Sequence, residues 1–228
     1  MPDMRGFGWS EYPDDDDFRK ETLADDVIAM LDALQLKQVG LVGHDWGGWV
    51  GFLACLNQPE RFNAYLALSI LHPFQKTDSR LLHYWRGLYQ LPIAAPILGE
   101  YVIKHKPNLV ENGVRNAASL DAWTEDEMNV FIQCIQQPLQ AKASTLLYRQ
   151  FLIKEFSEVM QGKYRNQKLT GPTKLLIGDK DPYVTKYHIQ GYKQYAKAMQ
   201  SEIISHCGHF IPEELPEKVA SEIKQLVA

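Results

Sequence analysis

Four short apolar runs divide the chain and alternate with segments whose apolar residues recur at helical spacing. The runs cover residues 38–42, 65–70, 174–177 and 202–204. The first two runs are typical of buried strands, the third also has a strand signal, and the fourth is a last short strand. A helix that begins near Thr22 precedes the first run, a second helix follows it directly, and a last helix covers about 216–227. Strands that alternate with helices predict an α/β fold with a mostly parallel sheet.

The character of the chain changes between residues 73 and 165, where helical periodicity replaces the strand-like runs. We interpret residues 73–165 as a helical lid that is inserted into the α/β core. Residues 1–72 then form the first part of the core, and residues 166–228 form its second part.

Three sequence signals predict helix boundaries within this lid. A helix over 79–90 is expected to stop before Pro92. Thr124 and Glu127 have the spacing of a capping box, which opens a second helix. Pro138 fits the first turn of a third helix, where a missing N–H costs nothing.

Composition excludes several classes of partner. The 24 basic and 28 acidic residues give a net charge of −4 and form no dense basic stripe, so nucleic acid is not an expected partner. The most apolar lid segment, residues 91–103, is interrupted by Pro92, Pro96, Gly99 and Glu100, so no membrane span is predicted. The three cysteines are odd in number and widely spaced, which indicates a reducing compartment, the cytoplasm, rather than a disulfide framework.

A glycine-flanked turn follows the first predicted strand. Residues 43–48 read Gly-His-Asp-Trp-Gly-Gly and lead from the strand into the next helix. This is the pattern of a nucleophile elbow, in which small residues flank a side chain that projects above the sheet. Asp45 occupies the nucleophile position, although a lone aspartate at a helix start is usually an N-cap. With Asp181 and His209 after two later strands, the chain order is nucleophile, acid, histidine.

Other polar residues near these positions are weaker candidates for catalytic roles. Asp179 is an alternative acid, but the proline after Asp181 favours Asp181. His206 lacks the preceding glycine of His209 and is expected on a surface loop, while His44 is expected to point away and to shape the turn. The remaining histidines show no metal-ligand spacing, so neither a metal nor another cofactor is predicted. They are His72, His83, His105 and His188.

Four segments carry a resemblance to a known family. They are residues 5–10 (Arg-Gly-Phe-Gly-Trp-Ser), 42–48, 178–182 and 207–210 (Cys-Gly-His-Phe). In this order they resemble the epoxide hydrolase and haloalkane dehalogenase branch of the α/β-hydrolase superfamily, and most closely the epoxide hydrolases. The resemblance implies an α/β-hydrolase fold, no cofactor, and a small hydrophobic organic substrate together with water.

An aspartate in the nucleophile position implies a covalent mechanism. A carboxylate is already ionised at neutral pH, so Asp45 can attack an sp³ carbon without a general base. His209, oriented by Asp181, would then activate the water that hydrolyses the resulting ester. The backbone N–H of Trp46 is the expected oxyanion donor.

The resemblance also implies that lid tyrosines protonate the epoxide oxygen. Tyr148 matches the second of two such tyrosines. The position of the first is occupied by Trp85, so either Tyr84 or Tyr89 is a candidate replacement. The alternative is that these are core aromatics.

Two further hypotheses remain open. A haloalkane dehalogenase would use Trp46 to bind the departing halide, but the motif for its second donor is absent from this chain. In the resembled family, several strands precede the segment that here begins at Arg5. We therefore expect an N-terminally truncated sheet with an exposed edge, and the third hypothesis is an inactive or ligand-binding fragment.

Overall fold

The sheet of this protein has four strands, all parallel, in the order β1-β2-β3-β4. The computed structural model describes residues 1–75 and 86–226. The strands are β1 (Val39–His44), β2 (Phe62–Leu68), β3 (Thr173–Gly178) and β4 (Met199–Ile204). The prediction of an α/β fold with a parallel sheet is confirmed.

Ten α-helices occur in the described residues. They are α1 (Lys20–Ala33), α2 (Trp46–Asn57), α3 (Gln90–Ala94), α4 (Leu98–His105), α5 (Pro107–Ala117), α6 (Glu125–Ile135), α7 (Pro138–Gln150), α8 (Phe156–Gln161), α9 (Ile211–Glu214) and α10 (Pro216–Leu226). A π-helical turn, Phe151–Glu155, joins α7 to α8. Between β2 and β3 the described residues contain helices and no strand. The interpretation of residues 73–165 as a lid, and its boundaries at 72/73 and 165/166, stay predictions.

Both faces of the sheet are covered at the two central strands, β2 and β3. On one face, α1 and α2 supply the larger apolar cluster, in which Trp49 and Phe52 are fully buried. On the other face, a smaller cluster joins β2 and β3 to α9 and α10. It consists of Leu66, Leu68, Leu176, Cys207, Ile211 and Val219. The continuous apolar run of β2 is explained by this burial on both sides.

The first strand, β1, lies at one edge of the sheet. Val42 is 41% exposed there, and Leu41 is half-buried. An exposed edge strand was expected from the sequence, and the N-terminal truncation from which it was inferred stays a prediction. None of the described helices is both long enough and apolar enough to cross a bilayer.

The lid signals are confirmed with one correction. Thr124 and Glu127 form the predicted capping box, and Pro138 begins α7. Pro92, however, does not stop a helix but lies inside the first turn of α3. The first turn of a helix makes no use of the backbone N–H that proline lacks, so Pro92 is compatible with a helix start. Residues 79–85 of the predicted helix lie outside the described residues.

Candidate functional site

The turn between β1 and α2 holds Asp45 in a strained conformation. Its backbone has φ +48° and ψ −122°, a region that non-glycine residues rarely adopt. The Asp45 N–H donates to the Leu68 carbonyl at 3.1 Å, which ties the turn to the end of β2. A Cβ at Gly43 would collide with the Gly47 backbone, whereas a Cβ at Gly47 would meet nothing within 4 Å. The close approach of the two backbone segments in this turn therefore requires a glycine at position 43 but not at position 47.

The structure brings Asp45, Asp181 and His209 together at the carboxyl ends of three strands. Asp181 Oδ2 lies 2.9 Å from His209 Nδ1, and Asp45 Oδ1 lies 3.5 Å from His209 Nε2. Asp181 Oδ1 also accepts the backbone N–H groups of Tyr183 and Val184 at 2.8 and 2.9 Å, so the carboxylate is fixed on both sides. Asp179, the alternative acid, is exposed.

The charges of these three groups support one another. Burial opposes ionisation of Asp45, but the hydrogen bond and charge of His209 outweigh it and lower the pKa of Asp45. Burial likewise disfavours a charged His209, but Asp181 and Asp45 together raise the pKa of His209 to about 10. The two neighbouring aspartates therefore favour the imidazolium form of His209.

His44 stands beside this group and does not point away as expected. Its Nε2 lies 2.9 Å from the His209 carbonyl oxygen, to which it donates, and the two rings are 5.1 Å apart. The expectation was wrong because His44, the last residue of β1, lies against the loop after β4. His206 is exposed, as expected of a surface loop residue.

A buried carboxylate that the sequence analysis missed holds the loop around His209. Glu214 Oε2 accepts the backbone N–H groups of Gly208, Ser119 and Leu120 at 2.8 to 3.1 Å, and Glu214 Oε1 accepts that of Phe210 at 3.1 Å. The only signal in the sequence is a glutamate one turn beyond the histidine. Glu214 therefore joins the histidine loop to the segment after α5.

A cavity of about 380 Å³ opens above Asp45 and His209. Most of the lining side chains are apolar. They include Trp46, Ile70, Leu71, Leu88, Leu91, Phe151, Leu152, Phe156, Val159, Met160 and Val184. About 30% of the Asp45 side chain remains accessible, and Asp45 and His209 both line this cavity. An apolar cavity with a few converging polar groups is the usual form of a small-molecule site.

Aromatic side chains connect the lid to the histidine. The Tyr148 ring lies 5.5 Å from Trp46 and 6.2 Å from Tyr89. Tyr89 in turn packs 4.3 Å from Tyr183, which lies 5.1 Å from His209. Sequence analysis missed Tyr183, although its place two residues after Asp181 was a usable signal. Tyr84 and Trp85 lie outside the residues that the structure describes.

Both lid tyrosines stay protonated at neutral pH. Burial, reinforced by the negative charge of Asp45, raises the pKa of Tyr148. Burial also raises the pKa of Tyr89, and the neighbouring Tyr148 and Asp45 add to the shift. Their hydroxyls can therefore donate protons beside a carboxylate nucleophile. Among residues 1–75 and 86–226, no three His, Cys, Asp or Glu side chains are grouped so that they could hold a metal ion.

Known proteins resemble this chain in sequence. A family model described as alpha/beta hydrolase fold matches residues 1–95. Epoxide hydrolase 3 of Xenopus tropicalis is 26% identical over 241 residues, and epoxide hydrolase 4 of Mus musculus is 24% identical over 237 residues. These alignments cover 99% and 95% of this chain, but the chain spans only 62% of each relative.

A solved structure gives the same result at the level of the fold. Epoxide hydrolase CorEH superposes with a TM-score of 0.83 at 21% identity, and the match covers 99% of this chain and 80% of the other. At an identity this low, the superposition shows that the fold is shared and nothing more specific.

Proposed function

We propose that this chain, which has the α/β-hydrolase fold, hydrolyses an epoxide to a vicinal diol through a covalent ester on Asp45. One observation carries the proposal. The carboxylate of Asp45 faces an apolar cavity, has His209 3.5 Å away, and lies near two protonated lid tyrosines. The names of the relatives support the same substrate class.

In the first step, an oxygen of Asp45 attacks one carbon of the epoxide and the ring C–O bond breaks. The ring oxygen takes a proton from Tyr89 or Tyr148, which leaves a hydroxyalkyl ester and a tyrosinate. The apolar cavity holds the substrate and excludes competing water. The ionised state of Asp45 that this step needs is favoured by His209, which lowers the pKa of Asp45.

Formation of the ester changes the charge around His209. Asp45 loses its negative charge, so one of the two groups that raise the pKa of His209 disappears. His209 then releases its proton, which restores the tyrosine hydroxyl. The imidazole becomes a base at the moment when a base is needed.

In the second step, neutral His209 removes a proton from water, and the hydroxide attacks the carboxyl carbon of Asp45. The Trp46 backbone N–H, which donates a hydrogen bond to the Asp45 carboxylate, is the proposed donor to the developing oxyanion. Collapse of the tetrahedral intermediate breaks the ester, and the imidazolium proton passes to the departing alkoxide. The carboxylic acid left on Asp45 then gives its proton to His209, which restores the starting site, and the sum of the steps is epoxide plus water to diol.

Product analysis with two substrates tests this function. The purified chain is incubated with styrene oxide or with an alkyl bromide, and diol and free bromide are measured. We expect diol, and we expect Asp45→Asn to abolish it. Release of bromide without diol would instead identify a dehalogenase, in which Trp46 binds the halide. If neither diol nor bromide forms, the proposal for this chain is contradicted and a ligand-binding fragment is favoured.

Removal of the lid hydroxyls should slow ring opening. Tyr89→Phe and Tyr148→Phe each take away one proton donor, and we expect kcat for styrene oxide to fall roughly 10- to 100-fold in each. The melting temperature should change little because the rings remain. Tyr101→Phe is the matched control, since Tyr101 is 51% exposed on α4. Unchanged kcat in both variants would show that Tyr89 and Tyr148 are core aromatics.

A further inference from the structure

The first residue of α1 is a lysine with no solvent exposure. Lys20 is 0% exposed, although lysine is almost never fully buried without a partner. It lies three residues before Leu23 and shares the buried face of the helix with that residue. Its ammonium group therefore enters the apolar core between the sheet domain and the lid.

Two polar groups from the segment between β2 and β3 contact Lys20. Its Nζ donates to the backbone carbonyl of Leu147 in α7 and lies 3.6 Å from Glu155 Oε2 in the π-helical turn. The Lys20 backbone N–H also donates to Glu155 Oε1 at 3.0 Å. These contacts bridge about 130 residues of sequence and clamp the ammonium at one point.

The same ammonium lies against two aromatic rings of the cavity wall. It is 4.6 Å from the ring centroid of Trp46 and 5.3 Å from that of Phe151. Both rings line the cavity, and Trp46 directly follows Asp45. A cation near an aromatic face is attracted by the ring quadrupole, most strongly when the cation is desolvated.

Stability alone does not explain a charge at this position. Burial lowers the pKa of Lys20 to about 8 and raises the pKa of Glu155, which reflects the cost of taking both charges out of water. Apolar residues of similar volume usually replace such a pair without loss of stability. At a pKa of about 8 the ammonium is still charged at neutral pH, so it can attract the rings.

We propose that Lys20 is a positioning residue that holds the Trp46 indole, and with it the strained Asp45–Trp46 peptide, in the geometry that nucleophilic attack requires. The inference rests on the proposed epoxide hydrolysis. Asp45 has a positive φ, and a strained backbone of this kind persists only where its surroundings fix it. Tyr148 packs edge-on against one side of the indole, and the Lys20 ammonium faces its ring from the core. Without the cation, the indole can shift and the peptide with it.

The test compares Lys20→Met with Lys20→Arg. Methionine keeps the length and the apolar stem but removes the charge, while arginine retains a cation that can stack on the indole. In Lys20→Met we expect kcat for styrene oxide to fall roughly tenfold, with KM nearly unchanged. The melting temperature should also fall, because Glu155 loses its partner. Lys20→Arg should recover most of this loss. Lys168→Met is the matched control. Lys168 is exposed, and its ammonium lies 5.1 Å from the centre of the Tyr195 ring.

A spectroscopic measurement separates this inference from the proposed function. The emission of Trp46 is obtained as the difference between each protein and its Trp46→Phe counterpart, which needs no turnover. We expect this difference spectrum to change in Lys20→Met and to return towards the original in Lys20→Arg, even in a chain that hydrolyses nothing. If Lys20→Met fails to fold, Glu155→Gln should change the same spectrum in the same direction, by less.

Two outcomes would overturn the inference. One is a Trp46 difference spectrum that is identical in the original chain and in Lys20→Met. The other is a changed spectrum with unchanged kcat in a chain that does form diol, because the contact would then exist without serving the reaction. If the melting temperature falls while the Trp46 difference spectrum and kcat stay unchanged, Lys20 stabilises the fold and does not position Trp46.

Discussion

Replacement of His209 by glutamine is expected to stop the proposed reaction at the ester. The carboxyl group of Asp45 that forms the ester remains in His209→Gln. Its ionisation loses the support of His209, so the first step should slow but still occur. Ester hydrolysis needs a base for water, and a glutamine amide cannot accept that proton. General-base catalysis contributes roughly 10²- to 10⁴-fold, so the second step should slow by about 10³-fold while the first continues. The ester should therefore accumulate on the enzyme.

Mass spectrometry detects this intermediate directly. After incubation with styrene oxide, the peptide that contains Asp45 should gain the mass of one substrate molecule in His209→Gln. The gain should be absent in the double variant that also carries Asp45→Asn. His206→Gln is the matched control, because His206 is an exposed histidine three residues earlier, and it should turn over normally without accumulating ester. Diol formation by the Asp45→Asn variant at the original rate would exclude the covalent route.

The site residues that could be predicted from the sequence are those placed by local backbone. Asp45, Asp181 and His209 each follow a strand, and the carboxyl ends of parallel strands meet at one edge of the sheet. Chain order and strand pattern were therefore enough to expect them together. The same local reasoning correctly predicted the capping box of Thr124, because the interacting groups are only three residues apart.

Residues that act through distant contacts could not be predicted in this way. Lys20 and Glu155 are 135 residues apart, and Glu214 lies 95 residues from the Ser119 backbone that it binds. Neither contact has a periodicity or a spacing that a sequence pattern reveals. Composition alone assigns a lysine and a glutamate to the surface. Their burial became visible only when the lid was placed against the sheet.

The pairing of lid tyrosines illustrates the same limit of local reasoning. Tyr148 was expected at the site, whereas Tyr84 and Tyr89 could not be separated by sequence. In the structure Tyr89 lies between Tyr148 and Tyr183, just before α3. Pro92 was misinterpreted because a proline can either end a helix or occupy its first turn, and only the position of the helix start decides between them.

A large effect is also expected from a residue that touches neither substrate nor Asp45. Glu214→Gln replaces one carboxylate oxygen by an NH₂ group, which cannot accept a hydrogen bond. The carboxylate accepts four backbone N–H groups, so at least one buried donor loses its partner and the others lose the assistance of the charge. We expect the free energy of unfolding to fall by about 3 kcal/mol. Because Gly208 and Phe210 flank His209, the imidazole should also shift.

The shift of His209 gives this prediction a kinetic signature. At a temperature where Glu214→Gln remains folded, kcat for styrene oxide should fall roughly 10- to 100-fold, since small displacements of a base are costly. KM should change little because Glu214 is not part of the cavity wall. Glu217→Gln makes the same chemical change at a nearby exposed residue and should leave both constants intact. If the two variants have the same kcat, the loop after β4 positions His209 without help from the buried carboxylate. The hydrogen bonds from Glu214 to the segment after α5 would then have no effect on the position of His209.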